Sequence, residues 1–221
     1  MVRRSVSFIL FATATAVLCS GTASAGPKSS TTSVWTPITE AAPTLAPFQH
    51  VRFCLRYPSD CKSDSSQADR IELNTENLDL LVRVNRGVNA AISPVRKAYG
   101  AELADGWTIA PQMGDCNDYA VTKRHELLES GLPSRALRLS VVKTASGIGH
   151  LILVVATTKG DMVLDNLNAS IVSWQSTDYH WIKIQSASDA RFWFDVKGPA
   201  VSASLSHNPR KLRVASRQSD I

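Results

Sequence analysis

Beyond residue 25 the sequence has no apolar run long enough to cross a bilayer, which excludes a membrane span from that part of the chain. It also lacks a strong excess of charge of either sign. The formal net charge is +5, and it falls to +3 once Arg3 and Arg4 are set aside, because residues 1–25 contain no acid. Much of the remaining excess lies near the end of the chain, in Arg210, Lys211, Arg213 and Arg217. No basic surface interleaved with aromatic residues is visible, so nucleic acid is not expected as a partner. Internal repeats are absent. Cysteine is scarce, four in 221 residues, and that makes the place of each one informative.

The first 25 residues read as a secretory signal peptide. Arg3 and Arg4 make its basic start, Val6 to Cys19 its apolar stretch, and Ala23-Ser24-Ala25 a small-residue cleavage site, with the cut after Ala25. Leu18, directly before Cys19, is too large for a lipid-attachment signal. The chain is therefore expected in the periplasm or outside the cell. Three cysteines remain after cleavage: Cys54, Cys61 and Cys116. An odd count in an exported protein points to one bridge and one free thiol. Cys54 and Cys61 are close, with Pro58 in a turn between them. A bridge there would stabilise the fold by about 2.5 kcal/mol in the chain-entropy picture. Cys116 is then free.

Residues 26–47, rich in Ser, Thr, Pro and Ala, read as a flexible leader, 48–198 as one domain and 199–221 as a disordered basic tail. Within the domain, Leu78, Leu81, Val82, Val88 and Ala91 recur at three- and four-residue steps, which predicts a helix over 75–91 that Pro94 ends. Val95 to Gly100 reads as a second short helix. After Gly131 the period becomes two. Leu137, Leu139 and Val141 make a half-buried strand, and 150–156 is apolar on both faces, as in a central strand. A turn near 157–161, a returning strand over 162–166, and strands over 179–184 and 191–196 follow. Helices first and an antiparallel sheet after them define an α+β domain.

The chemistry concentrates at Gly114-Asp115-Cys116-Asn117-Asp118-Tyr119-Ala120. Gly114 permits a tight turn, Asp115 is a good N-cap, and a helix follows until Gly131 and Pro133. Cys116 is its first residue, where the partial positive charge of the helix start favours thiolate. The backbone N–H of Cys116 is the better oxyanion donor, with Gln112 a second possibility on its amide donors; Trp107 reads most simply as core, with an oxyanion role as the alternative. A thiol nucleophile needs a base. Of the five histidines, His150 opens the central strand, His180 is a minor alternative, His50 precedes the first predicted helix, His125 lies far along the cysteine helix and His207 is in the tail. Asp165 reaches the face of His150 if the intervening hairpin loop has an even number of residues; a loop centred on Thr157-Thr158 would set the two directly opposite.

These three segments, Gly114 to Ala120, His150 to Val154 and Val163 to Leu167, resemble the bacterial transglutaminase-like cysteine peptidases, which include the LapG-type periplasmic proteases. The resemblance implies a papain/transglutaminase-like core and a Cys–His–Asp triad of Cys116, His150 and Asp165. Val84-Asn85 and Val88-Asn89 match a family pattern of paired Val-Asn steps. The chemistry requires no cofactor. In LapG-type members the acids around the cysteine bind calcium; this chain keeps Asp115 and Asp118 and has Asn117 as a weaker ligand. The resemblance also implies a protein substrate, such as a surface adhesin, and an inhibitory membrane receptor. Two other functions compete with peptide hydrolysis: transfer of the acyl group to an amine, which shares the same acyl-enzyme, and peptide binding without catalysis, against which the intact Cys, His and Asp argue.

Overall fold

The computed structural model describes residues 36–95 and 106–197. The strands expected after Gly131 form: β4 (Leu137–Lys143), β5 (Gly149–Thr157), β6 (Gly160–Leu164), β8 (His180–Gln185) and β9 (Trp193–Val196), and a short strand that the sequence reading did not include, β7 (Val172–Ser173), joins them. With β1 (Glu40–Thr44) they form a seven-stranded sheet of order β1-β9-β8-β4-β5-β6-β7, every pair antiparallel.

Strand β5 is central and buried on both faces, as its unbroken apolar run requires. Leu151, Leu153 and Val155 point to one side, into a core shared with α2 (Thr75–Ala91) and α3 (Cys116–Glu129). Ile152 and Val154 point to the other, against Trp174 and Trp181. Helix α2 is capped by Asn74, whose side chain accepts the N–H of Asn77. Helix α3 ends at Gly131, which takes the left-handed conformation at φ 85°, and the N–H groups of Gly131 and Leu132 bond back to Leu128 and Leu127.

The start of the domain corrects the sequence reading. The stretch 26–47 reads as a flexible leader, yet β1 pairs with β9, and Ile38 is buried with its N–H on Asp161 Oδ2 at 2.8 Å. Strand β1 lies at the sheet edge and is held through its backbone, so it needs little apolar content and tolerates Pro43. Helix α1 (Phe48–Arg56) follows, and Cys54 and Cys61 form the expected disulfide, with Cα atoms 5.5 Å apart. The signal peptide, the basic tail and nearly all of the short helix expected over 95–100 lie outside the described residues.

Candidate active site

Two short strands, β2 (Ser93–Pro94) and β3 (Met113–Gly114), pair in parallel and deliver the chain to α3. A side chain at position 114 would put its first carbon 2.8 Å from Asp118 and 3.1 Å from Ile92, so only glycine fits. Asp115 then caps the helix. Its Oδ1 accepts the N–H of Asn117 at 3.0 Å, and Asp118 Oδ2 accepts the N–H of Asp115 at 3.0 Å, a reciprocal capping box. Cys116 is the first helical residue, half-buried, and the free cysteine among the described residues.

His150 leaves the opening of β5 and is buried. Its Nε2 meets Asp165 Oδ1 at 2.8 Å, which leaves Nδ1 as the nitrogen for a second partner. Burial alone would lower the pKa of this imidazole, but hydrogen bonds and negative charge from Asp165 and Cys116 outweigh it and lift the value to about 9. The thiol, the imidazole and the carboxylate are thus electrostatically coupled. On Asp165 burial works upward, and the bonds and charge of His150, then Tyr179 and the Leu167 N–H, hold the carboxyl below its usual range.

The hairpin that sets this geometry has the even loop that the sequence argument requires, but not centred where direct opposition needs it. Thr157 pairs with Gly160 across the two-residue loop Thr158-Lys159. That register sets Asp165 diagonal to His150 rather than directly opposite. Even parity keeps both on one face, and the diagonal offset is within side-chain reach.

Tyr179 and helix α2 add further support to Asp165. Tyr179 donates its hydroxyl to Asp165 Oδ2, and its ring stands edge-on to the His150 ring at 5.7 Å. Asn89 Nδ2 donates to the Asp165 carbonyl at 2.9 Å, and Asn85 Nδ2 to the Ala169 carbonyl at 3.2 Å, so α2 holds the segment that carries the acid. The paired Val-Asn steps were the available sign of the asparagines, since a polar residue on the buried stripe of a helix needs a partner. Nothing local marks Tyr179, whose partner is set by strand pairing.

The other candidates have other surroundings. Trp107 is a core residue, 5% exposed, packed on His50 and Phe53. Gln112 is exposed and lines a small cleft with Val88, Thr122 and Glu126. His180 is exposed, His125 pairs with Asp60 at 3.1 Å, and His50 is buried between Trp193, Gln185 and the disulfide. His207 lies outside the described residues.

Calcium takes six to eight oxygen ligands at roughly 2.3–2.6 Å. Asp115, Asn117 and Asp118 supply two carboxylates and one amide. Asp118 is 1% exposed, with Oδ1 on the Thr108 N–H at 2.9 Å and Oδ2 on the Asp115 N–H. Asp115 Oδ1 is likewise engaged. The trio serves as the helix cap, and its three side chains alone do not supply the six to eight oxygens that calcium takes.

A thiol at a helix start, coupled to a carboxylate-held imidazole on an antiparallel sheet, defines a transglutaminase-like cysteine peptidase. The family of bacterial transglutaminase-like cysteine proteinases matches residues 40–200, and the chain belongs to it. Among solved structures the chain is similar to Legionella pneumophila LapG, at 21% identity over 56% of this chain and 69% of that one, with a TM-score of 0.47. The calcium-bound form of that protein gives 22% identity, 60% and 77% coverage and a TM-score of 0.48. No curated protein matches the chain.

Proposed function

We propose that this peptidase is exported and cleaves a peptide bond in a periplasmic or cell-surface protein, with Cys116 as nucleophile, His150 as base and acid, and Asp165 as the group that orients His150. The observation that carries the reading is the 2.8 Å bond from His150 Nε2 to Asp165, which leaves Nδ1 as the nitrogen available to the thiol. Cys116 Sγ attacks the scissile carbonyl as its proton passes to His150, and a tetrahedral oxyanion forms against the backbone N–H of Cys116 at the start of α3, since Asp115 already caps the turn through the Asn117 N–H. The imidazolium gives its proton to the leaving amine, and a thioester remains on Cys116. His150 then draws a proton from water, which attacks the thioester and frees the acid product. The segment 1–25 and the Cys54–Cys61 bridge both support an oxidising, exported setting.

The family resemblance extends the proposal to an exported adhesin as substrate and an inhibitory membrane receptor as regulator. Calcium enters as a weak ligand at most, since Asn117 removes a charge and Asp118 is committed to backbone N–H groups. The test is incubation of the exported proteins of the source cell with wild type and Cys116→Ala, followed by identification of new N-termini. New termini made by the wild type alone support the proposal. None over a range of concentrations, with the thiol shown intact, contradict it.

A further inference from the structure

Helix α1 presents an apolar ridge with nothing over it among the described residues. Phe48 is 65% exposed, Val51 47% and Leu55 81%, and Leu45, just ahead of the helix, is 86% exposed. Steps of three and four residues line the helical members along one face. Isolated exposed apolar residues are ordinary; a continuous row of four is not. The opposite face is anchored: Gln49, His50 and Phe53 are buried, and the Cys54–Cys61 bridge ties the helix to the next turn. The ridge is therefore held outward by the fold.

Its border is basic. Arg52 and Arg56 lie on one flank, exposed, and the nine residues of α1 include no acid. Lys183 Nζ bonds the Leu45 carbonyl at 2.8 Å, bringing a third cation to the start of the ridge. We propose that this face of α1 seats the protein on an anionic lipid surface, with Phe48, Val51 and Leu55 entering the boundary between head groups and acyl chains and the cations on the phosphates. An exposed apolar helix face with cations along its side is the form of an interfacial helix. A second copy is the poorer occupant: antiparallel pairing on this ridge would gather the arginines of both copies on one flank.

The test is co-sedimentation of the purified protein with vesicles of phosphatidylcholine alone and of phosphatidylcholine with phosphatidylglycerol, at low salt. Wild type should sediment with the anionic vesicles and little with the neutral ones. Phe48→Ser/Leu55→Ser should weaken that binding by on the order of tenfold or more, from the apolar area lost. Arg56→Gln, which leaves the ridge intact, should weaken binding to the anionic vesicles only. Absence of wild-type binding to anionic vesicles would overturn the proposal. So would undiminished binding of both variants, which would place the contact elsewhere, for example in the apolar stretch 6–19. A dimer seen by light scattering without lipid, and lost in Phe48→Ser/Leu55→Ser, would assign the ridge to a second copy and also overturn it.

Discussion

Asp165 stands one diagonal step from His150 across the β5–β6 hairpin, yet its carboxylate reaches the imidazole at 2.8 Å. The two-residue loop fixes the parity, and Tyr179 and Asn89 fix the place of the carboxylate on that face. The His150–Asp165 pair is therefore a product of strand register and not of sequence proximity.

The first prediction concerns this pair. In Asp165→Asn the main support of the charged imidazole is gone, and the His150 pKa should fall from about 9 toward its ordinary value near 6.5. Tyr179→Phe keeps the ring and removes one donor to Asp165, so the carboxyl pKa should rise while His150 keeps its partner. NMR titration of the His150 ring reads the first change. A His150 pKa that stays near 9 in Asp165→Asn would place its support elsewhere.

Asn89 tests whether α2 positions the acid. Asn89→Ala removes one hydrogen bond to the Asp165 backbone and should lower stability by about 1 kcal/mol. It should also shift the His150 titration, which a purely structural asparagine would not do. Unfolding in urea gives the first quantity and NMR the second.

Much of this site was legible in the chain. Cys116 at a helix start, capped by Asp115 and closed at Gly131, follows from local rules of capping and spacing, and the structure agrees to the residue. His150 and Asp165 were legible because a period of two fixes faces. The position of the hairpin loop was not, since Thr157 to Asp161 offers several turns of similar cost. Edge strand β1 was hidden because its stabilisation is backbone pairing, which leaves no hydrophobic pattern.

The acid side of the stability curve should report His50. Burial, then the charge of Arg124, lowers its pKa from 6.5 to about 4. On acidification the unfolded chain takes up this proton before the folded one. The contribution is thus complete above pH 6.5 and is lost as pH falls toward 4, by up to ~3 kcal/mol. Asp161 and Glu126, with carboxyls raised by burial, act in the opposite sense, so the comparison is with His50→Gln. The stability difference between wild type and variant should shrink through that window; a constant difference would contradict it.

Calcium should change little. With Asp118 bonded to two backbone N–H groups, the melting temperature in millimolar calcium should match that in EDTA. A calorimetric affinity tighter than about 10⁻⁶ M, in the range of dedicated calcium sensors, would contradict the reading of the trio as a cap.

The most direct test of the central claim is the alkylation of Cys116 by iodoacetamide at pH 6, compared between wild type and His150→Ala, because it needs no knowledge of the substrate. If the imidazole activates the thiol, wild type should react faster by on the order of tenfold or more, since the thiolate is the reacting species. Asp165→Asn should fall between the two. Equal rates in wild type and His150→Ala would mean that Cys116 and His150 do not act as a unit.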